Sequence, residues 1–177
     1  FHCDYIAATV DQLRITLVKL GLLSERRINF FLNSQINKYF PPFMNLKKPG
    51  FTLGLQGLQF VATSTAAQNQ TFASPHYIHS IPTNADNQDV VSMGTDAALL
   101  TAKVIENLYI ILAIELVTLA QAIDFLEEKD KLSVSSRELF GGIRKIFPKI
   151  ENDRVIIEEL QAMVDFAKES EILDIEW

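Results

Sequence analysis

A cluster of polar side chains before the fourth predicted helix has the composition of a recognition site. The loop Pro82–Gly94 contains three carboxamides and two aspartates within six residues: Asn84, Asp86, Asn87, Gln88 and Asp89. Carboxamides donate and accept hydrogen bonds but do not titrate, so they suit binding of a polar substrate better than acid–base catalysis. A structural alternative is an elaborate helix cap, because Asn and Asp side chains also form turns and cap helix N-termini. From composition alone, both interpretations stay open.

The other side chains that could carry catalysis or bind metal are scattered along the chain. His76 and His79 have a spacing that can bind a metal, but they lie in a loop between two prolines with no cysteine nearby. We therefore favour hydrogen-bonded loop histidines and expect no metal site. Glu106 and Glu115 are about two and a half turns apart on one predicted helix, which is too far to act together on one atom. For Glu115, an interhelical hydrogen bond or ion pair is favoured over catalysis, because burying an unpaired carboxylate is costly.

Composition and charge exclude several classes of partner. The 177 residues carry a net charge of −6, which offers no basic face to phosphate, so we expect no nucleic-acid partner. The apolar run Leu108–Ala120 is interrupted by Glu115 and is shorter than the roughly 20 residues of a membrane span. We expect no membrane association, and for so small a chain we expect this run at an oligomer interface. Cys3 is the single cysteine and the N-terminus has no signal-peptide pattern, which favours a cytoplasmic protein that begins inside a longer chain.

Hydrophobic periodicity predicts an all-α, bundle-like fold. The first predicted helix buries a stripe from Ile6 to Leu20, places Asp11 and Arg14 off that stripe, and ends at Gly21. Ser24 is predicted to cap a second helix, which ends at two prolines. The remaining predicted helices are Leu55–Phe72, Ser92–Glu128, Ser136–Phe147 and a last one running from Asp153 as N-cap to Ser170. The polar loop therefore connects the third helix to the fourth.

The order of short motifs resembles the aromatic amino acid ammonia-lyases, the family of histidine, phenylalanine and tyrosine ammonia-lyases and the related aminomutases. The polar loop is similar to a signature of that family, and further segments resemble family motifs in the same order. These segments are Phe1-His2, Leu23–Arg27, Pro41–Met44, Gln68-Asn69, Ser80–Thr83 and Ala113–Glu115. The resemblance covers most of the chain and implies that residues 1–177 form the C-terminal helical portion of such an enzyme, part of its long-helix superhelical core.

The resemblance also implies a cofactor and a set of binding residues. Family members use a 4-methylideneimidazol-5-one group, which forms autocatalytically from an Ala-Ser-Gly triplet in the N-terminal half, and that triplet is absent from this sequence. No catalytic residue is therefore expected within this chain, and the chain alone should be inactive. The implied substrate-binding residues are Phe1, Asn84, Asn87 and Gln88. Implied partners are the N-terminal half of the same protein and the other subunits of a homotetramer.

The implied activity is elimination of ammonia from histidine, tyrosine or phenylalanine to give an α,β-unsaturated acid. Gln88 stands where typical histidine lyases have Glu, and a neutral side chain beside an aromatic ring avoids burying a charge. This favours tyrosine or phenylalanine over histidine. Two alternatives remain: an aromatic amino acid 2,3-aminomutase, and a non-catalytic helical scaffold that has kept the fold.

Overall fold

The computed structural model describes residues 2–47, 50–127 and 129–170. Its regular structure is helical, which confirms the all-α prediction. The elements are α1 (Asp4–Leu32), α2 (Ser34–Asn37), a 3-10 turn (Pro42–Met44), α3 (Gln56–Thr71), α4 (Gly94–Asp124), a second 3-10 turn (Lys129–Lys131), α5 (Val134–Ile146) and α6 (Ile157–Glu169). Within the described ranges, β pairing is limited to one isolated antiparallel bridge between Thr83 and Gln88.

The chain forms two compact units, and α1, α3 and α4 each contribute residues to both. The first unit comprises the described residues of Phe1–Leu23 and Ser64–Leu108, and the second those of Ser24–Thr63 and Tyr109–Trp177. The core of the first unit is built mainly of small apolar side chains: Ala7, Val18, Ala66, Ala97 and Val104. Larger side chains fill the second: Ile28, Leu32, Met44, Leu55, Ile111, Ile114, Phe147 and Met163.

The first two predicted helices are one continuous helix, so the predicted break at Gly21 is wrong. Gly21 is buried inside α1, and Ser24 does not cap a helix, because its hydroxyl donates to the Glu115 carboxylate. A glycine costs a helix about 1 kcal/mol relative to alanine. The tertiary contacts made beyond Gly21, including the fully buried Ile28, outweigh that cost.

The predicted buried face of the first helix is also wrong. Ile6, Leu13 and Leu20 are 64%, 48% and 43% exposed, whereas Asp11 and Arg14 are 3% and 0% exposed. Periodicity identifies an apolar stripe but not the face that packs within the unit. Here the packed face carries a charged pair, and hydrogen bonds from Arg14 Nη1 and Nη2 and to Asp11 Oδ2 offset part of the cost of burying it.

Later helices agree better with the sequence, apart from their ends. Ser133 caps α5 by accepting the Ser136 amide at 3.1 Å, so this helix begins before the predicted Ser136. Asp153 does not cap α6, which begins at Ile157. Its carboxylate accepts the Leu53 amide instead, at 2.9 and 3.1 Å.

The apolar centre of α4 is buried within the second unit. Ile111, Ala113, Ile114 and Val117 are inaccessible to solvent there, so most of the run assigned to an oligomer interface belongs to the unit's own core. Among the described helices, α4 is long and apolar enough to cross a membrane by length and composition. Core helices of globular proteins share that property.

Candidate functional site

The polar loop folds into a tight hairpin that displays its carboxamides. Backbone hydrogen bonds join Thr83 and Gln88 in both directions, with N···O distances of 3.0 and 3.3 Å. At the tip, the Asn87 amide donates to the Asn84 carbonyl at 3.1 Å. The two paired residues therefore fix the register of the tip, so that all three carboxamides lie within one short turn.

Three successive residues of this tip have left-handed backbone. The φ angles of Asn84, Ala85 and Asp86 are 57°, 51° and 62°. Asn and Asp adopt this conformation more readily than other non-glycine residues, but alanine gains nothing from it. Each such residue costs roughly 1 kcal/mol or more, and strained backbone of this kind concentrates at functional sites.

The hydrogen bonds of the hairpin do not support the helix-cap interpretation. In the described part of the chain, the side chains of Asn84, Asn87 and Gln88 make no hydrogen bond to other protein groups; Asn84 and Asn87 are exposed and Gln88 is half-buried. Among the described residues, no side chain of the loop accepts the amides of Gly94, Thr95 or Asp96, with which α4 begins. The donors and acceptors of the three carboxamides are thus available to a ligand.

A buried charged pair on α1 holds the segment that contains this hairpin. Arg14 donates to the Ser74 carbonyl at 2.7 Å and to the Ala97 carbonyl at 3.0 Å, and pairs with Asp11 at 2.6 Å. The second oxygen of Asp11 accepts the Tyr77 amide at 2.7 Å. The sequence places Asp11 and Arg14 one turn apart, a spacing typical of surface pairs, and gives no sign of their backbone partners.

Further ties inside the segment involve Ser80 and the two loop histidines. Ser80 Oγ accepts the Val91 amide at 2.9 Å, which joins the two arms of the hairpin below its paired residues. His76 and His79 lie with ring centroids 5.2 Å apart. Across the described residues, no group of three or more His, Cys, Asp or Glu side chains is arranged to hold a metal ion.

In the second unit, Glu115 is a buried carboxylate whose hydrogen-bond partners come from α1. It is 6% exposed and accepts from Arg27 Nε at 2.5 Å, from Arg27 Nη2 at 3.0 Å and from the Ser24 hydroxyl. The hydrogen bond to Glu115 raises the pKa of the Arg27 guanidinium above its ordinary value. This arrangement is the interhelical ion pair favoured from the sequence.

Apolar side chains of α4 and α6 surround this ion pair. Leu112, Leu116, Leu119 and Ala167 line a cavity of about 250 Å³ beside Arg27 and Glu115. With its carboxylate already satisfied by a guanidinium and a hydroxyl, Glu115 is suited to holding helices together rather than to proton transfer.

The structure brings together three of the four predicted binding residues. Asn84, Asn87 and Gln88 share the hairpin, whereas Phe1 lies outside the described residues. Sequence reasoning missed Asp11 and Arg14, which contact the base of the segment rather than its tip. The signal that could have identified them is that they share a helical face with Ala7, Val18 and Gly21, where small residues allow a close backbone approach.

A family profile and individual relatives match nearly the whole chain. Residues 1–145 match the sequence profile described as aromatic amino acid lyase. A tyrosine ammonia-lyase from Cupriavidus metallidurans is 34% identical over 99% of this chain and 33% of its own length. A histidine ammonia-lyase from Geobacillus thermodenitrificans is 37% identical over 98% of this chain and 34% of its own length.

Solved structures agree with these relatives. The crystal structure of tyrosine aminomutase from Streptomyces globisporus superposes with a TM-score of 0.93 and 36% identity, covering 98% of this chain and 33% of that one. The chain therefore spans about a third of the length of the relatives it matches.

Proposed function

The chain belongs to the aromatic amino acid lyase family, and we propose that the intact protein eliminates ammonia from an aromatic amino acid to give an α,β-unsaturated acid. The observation that carries this proposal is the strained hairpin whose three carboxamides have no protein partner in the described chain. Strained backbone of the kind seen at Asn84 concentrates at functional sites, and carboxamides that make no bond within the protein can bind a polar ligand.

The electrophilic group of the family is not formed by this chain. Its nearest triplet is Ala73-Ser74-Pro75, and proline has no amide hydrogen to lose in the cyclisation. The Ser74 carbonyl is moreover bound by Arg14. The 4-methylideneimidazol-5-one group, when present, supplies an electrophile for the substrate, and we propose that it comes from residues outside this chain.

With the electrophile supplied from outside this chain, the role of the hairpin is to bind and orient the substrate. Asn84 and Asn87 offer donors and acceptors at the exposed tip, while the half-buried Gln88 lies at the paired base of the turn. None of the three can exchange a proton near neutral pH, so their contribution is positional. Phe1 is expected to pack beside the substrate ring, as its family motif implies.

Gln88 carries our proposal for substrate choice. A neutral carboxamide can bond to a phenol or lie against a phenyl ring without a charge to desolvate, whereas an imidazole gains from a carboxylate partner. We therefore propose tyrosine or phenylalanine as substrate in preference to histidine.

An aminomutase is the second candidate, and the likeness to a tyrosine 2,3-aminomutase favours it. That enzyme from Streptomyces globisporus is 36% identical over 98% of this chain. Both reactions begin with loss of ammonia and differ in whether ammonia returns at the β carbon. Chromatography of the products separates the two, because one yields an unsaturated acid and the other a β-amino acid.

Incubation of the intact protein with tyrosine, phenylalanine and histidine tests the proposal, with near-ultraviolet absorbance reporting each conjugated acid. We expect product from tyrosine or phenylalanine. A Gln88→Glu variant should gain activity on histidine, while Gln70→Glu, which adds the same charge to an exposed position of α3, should not. Equal histidine activity in the parent and in Gln88→Glu would refute the role of Gln88. Absence of both ammonia release and β-amino acid would leave the scaffold alternative.

The proposed assembly rests on the family, and the proposed location rests on the single cysteine of the chain. We propose a cytoplasmic homotetramer in which other subunits and the N-terminal half complete each site. Light scattering of the intact protein after size-exclusion chromatography measures the subunit number directly, and a monomer would contradict the proposal.

A further inference from the structure

A single buried side chain bonds to both ends of the segment that contains the hairpin. Arg14 reaches the Ser74 carbonyl with Nη2 and the Ala97 carbonyl with Nη1. Ser74 follows α3, and Ala97 lies in the first turn of α4. Everything between these two carbonyls, including all three carboxamides, is thus a loop whose two ends are held together by one planar guanidinium.

Neighbouring contacts make this closure specific. Asp11 pairs with Arg14 and also accepts the Tyr77 amide, which extends the tie into the segment itself. Thr101 Oγ1 donates to the same Ala97 carbonyl at 2.8 Å. Because Arg14 is fully buried, its fork cannot turn to other partners, and its geometry fixes the separation of the two ends.

We propose that Arg14 is a positioning residue for substrate binding, and that it acts by closing the base of the loop that bears Asn84, Asn87 and Gln88. This inference rests on the proposed function for its effect on activity, but not for its effect on the loop. Closing the ends of a long irregular segment removes much of its conformational freedom. The hairpin then presents its carboxamides in one place, and a displacement of about 1 Å at such a site can cost about a hundredfold in rate.

A purely stabilising role predicts different behaviour. Buried ion pairs are often replaceable by neutral side chains of similar volume without loss of stability. If the pair served stability alone, a neutral replacement that folds equally well would leave the loop and the kinetics unchanged. A positioning role requires the two carbonyl bonds, which a neutral apolar side chain cannot make.

The double variant Asp11→Asn/Arg14→Met separates these roles. The asparagine side chain can still accept the Tyr77 amide and no charge is left buried, so the ion pair is removed as a whole together with the bonds from Arg14 to Ser74 and Ala97. A matched control is Glu25→Gln/Arg26→Met, because Arg26 also pairs with a buried carboxylate but joins no two distant backbone segments. If the first variant fails to fold, Asp11→Asn/Arg14→Gln, whose shorter side chain cannot reach both carbonyls, replaces it.

Hydrogen exchange of the intact protein, followed by mass spectrometry, is the primary measurement. We expect peptides covering residues 78–93 to exchange about tenfold faster in the Arg14 variant, with peptides of α1 and the melting temperature little changed. The control should leave both sets unchanged. Unaltered exchange across residues 78–93, or faster exchange throughout the protein, would overturn the inference.

Kinetics then connect the loop to the site. If the parent turns over tyrosine or phenylalanine, kcat/KM should fall by about ten- to a hundredfold in the Arg14 variant and stay unchanged in the control. Unchanged kinetics despite faster loop exchange would refute the positioning role. An inactive parent would instead refute the proposed function, while the exchange result would still decide whether Arg14 holds the loop.

Discussion

Replacing Arg27 by methionine should destabilise the protein by about 2–3 kcal/mol. Glu115 loses a bidentate partner and keeps the Ser24 hydroxyl, so a carboxylate stays buried with two of its three charge-assisted hydrogen bonds gone. Breaking a fully buried ion pair costs about 3–5 kcal/mol, whereas an exposed pair is worth about 0–1 kcal/mol. The Glu115 side chain is 7% exposed and that of Arg27 is 49% exposed, which places this pair between the two limits.

Thermal unfolding followed by circular dichroism measures this effect. A loss of that size corresponds to a melting temperature lower by about 5–10 °C for a chain of this length. Lys19→Met is the matched control, because it removes a positive charge from an exposed position of the same helix. It should change stability by no more than about 0.5 kcal/mol.

A double-mutant cycle isolates the pair itself. Glu115→Leu/Arg27→Met leaves no buried charge, so it should recover much of the stability that Arg27→Met loses. A stabilising role for this ion pair is refuted if Arg27→Met is as stable as the Lys19→Met control, or if the double variant is no more stable than Arg27→Met alone. Either result would mean that the pair with Arg27 does not offset the cost of burying the Glu115 carboxylate.

Four further predictions follow from single positions. Ala85→Gly should raise the free energy of unfolding by about 0.5 kcal/mol, because glycine adopts the observed φ of 51° without strain. The control Ala98→Gly in α4 should lower it by about 1 kcal/mol, and melting temperatures of the two variants that move in the same direction would contradict the prediction. Gly54→Ala should lower the free energy of unfolding, measured in urea, by about 2 kcal/mol or more. The φ of Gly54 is +58°, and a Cβ there would lie 2.6 Å from the Phe43 carbonyl oxygen, so an unchanged urea midpoint would count against that packing. Gln121→Leu should lower the free energy of unfolding by about 2–4 kcal/mol in the same assay, because Gln121 is fully buried and bonds to both the amide and the carbonyl of Ile150. An unchanged stability would show that other groups satisfy the Ile150 amide and carbonyl. Lys149 lowers the pKa of Glu151 through a hydrogen bond, so the Glu151 carboxylate stabilises the fold above its ordinary pKa of 4.5. This contribution is lost as the pH falls through the lowered pKa. NMR titration of Glu151 should give a higher midpoint in Lys149→Gln than in the parent, and equal midpoints would exclude the pairing.

Helices with a strong apolar period were predictable, and their exact packing was not. α4 follows from a long run of apolar helix-forming residues, and α3 follows from small residues at helical spacing; both patterns are local. Gly21 and Ser24 carry local signals for a helix end, yet α1 continues through both because its second half packs in another unit. A helix continues through a glycine when burial of the residues beyond it stabilises the fold by more than the roughly 1 kcal/mol that glycine costs relative to alanine.

The binding residues and the residues that hold them differ in what the sequence reveals. Asn84, Asn87 and Gln88 are close in the chain, so a short motif contains them all. The partners of Arg14 are 60 and 83 residues away and are backbone carbonyls, which every residue possesses. No residue type therefore marks them, and only the folded chain brings them within hydrogen-bond distance.

The hairpin also explains why residue composition pointed toward a cap. Asn and Asp favour left-handed backbone and turns, and two of the three left-handed residues at the tip are of those types. A cap would use their side chains to accept the first amides of α4, but in the described chain none of these side chains bonds to those amides. The alanine between them gains nothing locally from a positive φ, so its cost has to be offset elsewhere in the unit. Arg14 and Asp11 provide contacts of the required kind, because they hold the ends of the segment and leave the tip little freedom to relax.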